Sequence, residues 1–291
     1  MAYAKSRKRR EELYRLYNTL CTHGDQYDNF AVVRRIANLR REKAQLLGYP
    51  DYATYVLKHR MAETPENVRE FLQNLTEAYL PAAREDVARV KAKAKSVEGD
   101  DFDFQPWDFA YYTNLLRREQ YDFDPEQLRP YFELGNVIKG VFGLATRLYG
   151  ITFEENPNIP VYHPDVKAYE VKDADGSHLA VLYTDFHPRD SKKGGAWMTN
   201  YREAEGGLHG TRPHVSLTMN FTKPQADRPA LLTLDEVNTF LHEFGHALHS
   251  IFAATRYKSL SGTNVYWDFV ELPSQFMENF STEPEFLNTF A

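Results

Sequence analysis

The chain has 291 residues, of which 42% are hydrophobic and 26% are charged, a composition typical of a globular protein with one large domain or two modest ones. Its net charge of −6 lacks the strongly basic character of nucleic-acid-binding proteins. No stretch approaches the roughly 18 consecutive apolar residues of a membrane helix, so neither a nucleic acid nor a membrane is predicted as a partner.

A cytoplasmic location is predicted from the first residues and from the cysteine content. Residues 1–17 carry charges but lack the apolar segment of a signal peptide. Cys21 is the single cysteine, so no internal disulfide can form, which fits a reducing compartment. The basic run KSRKRR, residues 5–10, is predicted to be a solvated face of the first helix rather than a binding site.

The first half of the chain has the apolar periodicity of helices, from residue 8 to about residue 149. Its separate helical stretches are residues 30–47, 68–94, 107–119 and 124–148. Gly48 is typical of a helix end, and Thr64 followed by Pro65 is typical of a helix start. Pro81 predicts a kink or a split in the long helix that contains it.

The pattern changes to short apolar runs with proline and glycine between residues 157 and 224. Three strands are predicted there, at residues 166–172, 179–185 and 214–221. Asp175 and Gly176 predict a hairpin turn between the first two. The run HPRDSKKGGAWMTNYREAEGG, residues 187–207, is predicted to be an exposed loop. The fold class is therefore mainly α with a small β-sheet (α+β).

A buried helix is predicted directly after this strand-rich region. Thr233 and Glu236 have the spacing of a capping box, which starts a helix at about Leu234. An apolar stripe at helical spacing follows and indicates that one face of the helix is buried: Val237, Leu241, Phe244, Leu248 and Ile251.

This helix carries the sequence FLHEFGHALHS, which places a glutamate between two histidines that are four residues apart. His242 and His246 share one face, so both imidazoles can bind one zinc ion. Glu243 lies beside the first histidine and can take a proton from metal-bound water as that water attacks a carbonyl. The alternative is an ordinary helix in which this pattern occurs by chance. His249 lies too far along the helix to share the ion and is interpreted as an ordinary partly buried histidine.

A third protein ligand is predicted in the segment WDFVELPSQFMENF, residues 267–280. The segment supplies Asp268, Glu271 and Glu278. Asp268 and Glu271 can equally form a helix-start pair with no role at a metal. Glu278 lies two turns later on the same face, either as a substitute ligand or as a residue that orients a ligand; Asp268 is a weaker candidate for the orienting role.

The motif HEFGHALH followed by DFVELPSQFMEN resembles the M3 family of zinc metallopeptidases. Four further segments are similar to that family in the same order and extend the resemblance over nearly the whole chain: LLGYPDYATYVL, WDFAYY, LYTDFHPRDSKKGGAW and NFTKP. The combination is far more specific than any one motif. The resemblance implies that His242, His246 and Glu271 bind one Zn²⁺ per chain, and that Glu243 is the general base.

The resemblance also implies a helical zincin-type fold with a channel that admits short peptides. Residues 1–155 are then a helical region that forms part of the channel, and residues 156–291 are the catalytic core. Family chains are longer, so this chain is expected to lack an N-terminal helical part and a C-terminal part. The latter supplies hydrogen-bond donors to the tetrahedral intermediate in the family.

Substrate contacts are expected at the small sheet, because an edge strand can hold a peptide main chain by strand addition. Gly194, Gly195, Ala196 and Trp197 mark the candidate segment by position. The alternative for the two glycines is a flexible turn without contact to substrate.

The predicted function is a zinc-dependent metallopeptidase acting on short peptides, with release of C-terminal dipeptides as the favoured mode. Cleavage by an oligo-endopeptidase of the same family is one alternative, and a catalytically inactive zinc- or peptide-binding chain is another. The residues do not predict an oligomeric state.

Overall fold

The computed structural model describes all 291 residues, which form two units, Met1–Asp124 and Pro125–Ala291. The predicted functional division between residues 155 and 156 stays a prediction. None of the helices combines the length and apolar character that crossing a bilayer requires.

The first unit consists of helices and their connections. Its α-helices are α1 (Arg7–Asn18), α2 (Phe30–Leu46), α3 (Tyr52–Leu57), α4 (Pro65–Glu98) and α5 (Phe109–Tyr121). The predicted start of α4 is confirmed, because the Thr64 hydroxyl accepts from the backbone N–H of Asn67. The predicted end of α2 is also confirmed, with Gly48 in the left-handed region at φ +83°.

Of the two outcomes predicted at Pro81, the split is wrong, since α4 runs through this residue as one helix of 34 residues, and the kink stays a prediction. Proline removes a single backbone donor, and the turns on both sides keep their own hydrogen bonds.

The basic run near the N-terminus is only in part a solvated face. Arg10 is 1% exposed and donates to Asp108 at 2.9 Å, while Arg7 donates to the same carboxylate at 2.9 Å. Asp108 is fully buried, and a buried carboxylate requires charged or hydrogen-bonding partners. The prediction of solvent exposure is therefore wrong for Arg10.

The second unit combines one mixed sheet with helices. Its elements are α6 (Leu134–Tyr149), β1 (Thr152–Glu155), β2 (Lys167–Lys172), β3 (His178–Asp185), β4 (Trp197–Arg202), β5 (His214–Thr218), α7 (Leu234–Ile251), α8 (Leu272–Glu278) and α9 (Pro284–Leu287). The strand order is β1-β2-β3-β5-β4, with β3 and β5 parallel and the other pairs antiparallel. One apolar core joins α6, the sheet and α7. The predicted mainly helical fold with a small sheet is confirmed.

The predicted hairpin is confirmed, because β2 and β3 pair antiparallel around a turn in which Gly176 has φ +84°. The exposed loop predicted at residues 187–207 is wrong in its second half, where β4 forms. The strand predicted at residues 214–221 ends earlier, at Thr218.

The helix predicted over residues 124–148 begins only at Leu134. Residues 125–131 form 3-10 turns instead, and Pro130 lies within them. A proline disfavours the α conformation of the residue before it, which is the reason that the helix does not extend through this segment.

Candidate metal centre

The helix α7 carries His242, Glu243 and His246. Its predicted capping box is confirmed. The Thr233 hydroxyl accepts from the Glu236 backbone N–H at 3.0 Å, and the Glu236 carboxylate accepts from the Thr233 backbone N–H at 2.7 Å. All five residues of the predicted apolar stripe are buried against the core. This burial leaves His242 and His246 on the remaining, partly accessible side of the helix.

The start of α8 packs tightly on α7 at Gly245. A Cβ atom at this position would lie 2.5 Å from the Pro273 carbonyl oxygen and 2.6 Å from the Ser274 Cα atom. Only glycine therefore permits this approach without a shift of the backbone. The contact brings Glu271, which directly precedes α8, to the histidine face of α7.

Three predicted ligands converge at this crossing. Glu271 Oε2 lies 3.2 Å from His242 Nε2 and 3.1 Å from His246 Nε2. The three candidate ligand atoms all lie within 4.8 Å of one another. Two ligands at roughly 2.0–2.1 Å from a tetrahedral zinc ion lie about 3.3 Å apart, so this donor set fits zinc in both chemistry and spacing.

Hydrogen bonds behind these donors fix their orientation. Glu278 Oε1 lies 2.6 Å from His242 Nδ1, and Asn238 Nδ2 donates to Glu278 Oε2 at 3.3 Å. The hydrogen bond with His242 lowers the pKa of Glu278. Ser274 Oγ lies 2.7 Å from Glu271 Oε2 and donates to that carboxylate.

The other acidic candidate of this segment lies elsewhere. Asp268 is exposed and is not among the three residues whose ligand atoms converge. His249 is also outside the group; it is half-buried, with its ring centroid 6.1 Å from that of Phe269. Burial lowers the pKa of His249.

Glu243 is largely buried beside the convergent donors, with 8% exposure. Burial raises the pKa of Glu243, while the neighbouring His242 and a hydrogen bond from the Met198 backbone oppose this effect. Met198 belongs to β4, so this edge strand contacts the candidate base directly. A carboxylate with a raised pKa and a single backbone donor is suited to taking up and releasing a proton.

The glycine-containing segment leads into β4. Gly194 and Gly195 are exposed, with φ +95° at Gly195, and Trp197 is the first residue of β4. Asn220 Nδ2 donates to the carbonyl oxygens of Lys193 and Gly195, at 2.9 and 2.7 Å. The turn is therefore fixed by hydrogen bonds, and it places Ala196 and β4 at the free edge of the sheet.

Three supporting residues were not found by reasoning from the sequence. Asn238 gave no local signal, because its partner Glu278 lies on a different helix. Ser274 lies only three residues after its partner Glu271, but the sequence does not show that this contact supports a ligand. Gly245 did give a local signal: an isolated glycine inside a helical pattern is typical of a close approach by another segment.

Two histidines one turn apart on a helix, a glutamate between them and a second glutamate from the next helix are the arrangement of the zincin class of metallopeptidases. The chain belongs to peptidase family M3, whose family model matches residues 1–291. The resemblance based on the ordered motifs is thereby confirmed.

The relatives reported below are named either dipeptidyl carboxypeptidase or oligopeptidase A. The chain is 43% identical over 292 residues to the dipeptidyl carboxypeptidase of Escherichia coli, covering 100% of this chain and 43% of that protein. It is 41% identical over 296 residues to oligopeptidase A of the same species, covering 99% of this chain and 43% of the relative. It is 40% identical over 300 residues to an organellar oligopeptidase A of Arabidopsis thaliana, covering 100% of this chain and 38% of that relative. The chain thus spans less than half the length of these relatives.

Proposed function

We propose that this chain carries the zinc site of a metallopeptidase that hydrolyses short peptides. The observation that supports the proposal best is the convergence of His242 Nε2, His246 Nε2 and Glu271 Oε2 within 4.8 Å. These three residues would hold one Zn²⁺, which when bound polarises a carbonyl and lowers the pKa of water towards about 7. Membership of a family of zinc peptidases supports the choice of metal.

Glu243 is the proposed general base. Its carboxylate takes a proton from the attacking water and passes it to the leaving amine. Burial raises the pKa of Glu243, which suits a group that must both accept and return a proton near neutral pH. Glu278 is proposed to orient His242 through Nδ1, because a hydrogen bond on this nitrogen leaves Nε2 free to bind the metal.

The edge strand β4 is the proposed peptide-binding strand. It pairs with β5 on one side only, so its other side has free backbone groups for strand addition. Gly194, Gly195, Ala196 and Trp197 are proposed to contact the substrate at its start, and the absence of side chains at the glycines allows close approach.

Release of C-terminal dipeptides is the proposed cleavage mode. The identity to the dipeptidyl carboxypeptidase, 43%, is slightly higher than the identity to oligopeptidase A, 41%. A peptide with an amidated C-terminus separates the two modes. A peptidyl-dipeptidase requires the free carboxylate and should leave this peptide intact, whereas an oligo-endopeptidase should cleave it internally. Short peptides as partners and the cytoplasm as location stay predictions.

The test is to measure metal content by mass spectrometry and cleavage of a quenched fluorescent peptide for the parent chain and Glu243→Gln. Both proteins should hold one zinc ion, and the variant should lose roughly 10²–10⁴-fold in turnover. The matched control is Glu285→Gln, an exposed residue of the same unit, which should retain full turnover.

The remaining outcomes separate the alternatives. Zinc binding without cleavage by the parent would replace the proposal with a zinc-binding chain that lacks catalysis. Failure of the parent to bind zinc would reject the site itself.

A further inference from the structure

The connection between β3 and β4, residues 186–196, crosses the end of β5. Asp185 ends β3 and Trp197 begins β4, and both are in register with Thr218, from opposite sides of β5. The connection therefore starts and finishes at the same level of the sheet. Whatever fixes its course also fixes where β4 begins.

Asp185 holds the first part of this connection. Its side chain is 1% exposed, and its carboxylate accepts two hydrogen bonds from Arg189, both at 2.9 Å. Lys192 Nζ donates to Oδ1 at 2.9 Å, and the Tyr162 hydroxyl donates to Oδ2 at 3.0 Å. Both cationic donors belong to the connection itself. Burial raises the pKa of Asp185, but these hydrogen bonds outweigh it and hold the pKa below its ordinary value, so the carboxylate is ionised at neutral pH.

Lys192 is committed to this role. Its side chain is 2% exposed, and its ammonium group also donates to the carbonyl oxygens of Asp185 and His187, at 2.8 and 2.9 Å. All three N–H donors of the ammonium group are thereby satisfied inside the protein. A buried cation of this kind is not available to solvent or to an external anion.

The last part of the connection is held by Asn220, which lies two residues beyond the end of β5. Asn220 donates to the carbonyl oxygens of Lys193 and Gly195, which follow Lys192 in the chain. Met198 directly follows Trp197 in β4, and its backbone donates a hydrogen bond to the Glu243 carboxylate. Two separate groups of hydrogen bonds, at Asp185 and at Asn220, thus hold the segment that leads into β4, and β4 contacts the candidate base through Met198.

We propose that Asp185 is a positioning residue: its buried carboxylate fixes the course of residues 186–196 and thereby places β4 against Glu243 and against the peptide main chain. The Asp185 side chain is buried and hydrogen-bonds to none of the candidate metal ligands. Its effect on the reaction rests on the proposed function, whereas its effect on β4 does not. The two can therefore be tested separately.

The test compares Asp185→Asn with the parent by hydrogen exchange of individual backbone amides. The amides of Met198 and the rest of β4 should exchange about tenfold faster in the variant, the size expected from losing charge-assisted hydrogen bonds. Those of β1 and β2 should be unchanged. Equal acceleration in all strands would overturn the proposal, since it would mean that Asp185 contributes only to overall stability.

Two further variants keep the test decisive. Asn220→Asp removes the two hydrogen bonds that the Asn220 side chain donates to the carbonyl oxygens of Lys193 and Gly195, without changing the size of the side chain. It should speed the hydrogen exchange of the same β4 amides even if Asp185→Asn folds poorly. Glu154→Gln is the matched control. Glu154 lies on β1, at the opposite edge of the sheet, and its exposed carboxylate forms an ion pair with Lys172 of β2. If Asn220→Asp leaves β4 protected, the proposal is wrong.

The consequence for function is measured by binding of a labelled peptide to the zinc-loaded protein in a Glu243→Gln background. Asp185→Asn should weaken peptide binding about tenfold while zinc content stays at the parent value. Unchanged peptide affinity together with faster β4 exchange would overturn the link to the substrate. A parent chain that binds no zinc would instead contradict the proposed function and leave the exchange result standing.

Discussion

His242 has contacts at both nitrogens of its imidazole. Nε2 lies 3.2 Å from Glu271 Oε2, and Nδ1 lies 2.6 Å from Glu278 Oε1. A ring held at Nδ1 by a carboxylate has a fixed tautomer and a more basic Nε2, both of which favour metal binding. At the residue scale, the site therefore depends on a glutamate that is not itself among the convergent ligands.

We expect Glu278→Gln to weaken zinc binding by about 10–100-fold, because the amide carries no charge to stabilise the imidazole orientation. Competition with a chelator of known affinity measures this loss, and Glu285→Gln provides the matched surface control. Equal zinc affinity in the parent and in Glu278→Gln would mean that the contact at Nδ1 does not tune the site.

The crossing of α7 and α8 is the decisive feature at the scale of elements. Glu271 belongs to neither helix interior; it reaches the histidines because α8 begins directly after it and packs on α7 at Gly245. The spacing of the two helices thus sets the distance between the carboxylate and the two imidazoles.

Gly245→Ala should push the two helices apart, since the added Cβ would meet backbone atoms of residues 273 and 274 at 2.5 and 2.6 Å. We expect a loss of roughly 1–3 kcal/mol in the free energy of unfolding and weaker zinc binding. Urea unfolding and chelator competition measure the two effects.

Gly143→Ala is the control for this variant. Gly143 lies inside α6 with no atom within 4 Å of an added Cβ, so alanine should stabilise its helix by about 0.5–1 kcal/mol. A Gly245→Ala protein that is as stable as the parent and binds zinc equally well would contradict the close packing.

At the scale of the whole molecule, every candidate ligand and the candidate base belong to the second unit, Pro125–Ala291. A metal that binds the folded unit and not the unfolded chain stabilises it by mass action.

We therefore expect zinc at 100 times its dissociation constant to stabilise the second unit by about 2.7 kcal/mol, and chelation to remove this gain. Hydrogen exchange with and without EDTA is the measurement. Protection should fall in α7 and α8, while the amides of α1 to α5 in the first unit should be unaffected. Identical exchange in the two conditions would show that the native site binds no metal.

Local patterns in the sequence were enough to predict much of the fold. The hairpin of β2 and β3, the capped start of α7 and its buried stripe follow from alternation, turn residues and helical spacing, all of which act within a few residues. The edge strand β4 was missed, because its residues follow a charged, glycine-rich run and none of its six residues is fully buried. The pairing with β5 that forms it is a contact between distant segments.

The sequence by itself determined that His242, Glu243 and His246 share one turn of a buried helix, since the 3.6-residue repeat and the capping box are local properties. Only the tertiary structure decided which acidic residue of the following segment lies among the imidazole nitrogens, which one lies behind His242 and which one is outside the convergent group. It also decided that Asp185 is buried among cations. Each of these depends on contacts between residues far apart in the chain, where side-chain reach and helix packing, rather than spacing along the sequence, set the distances.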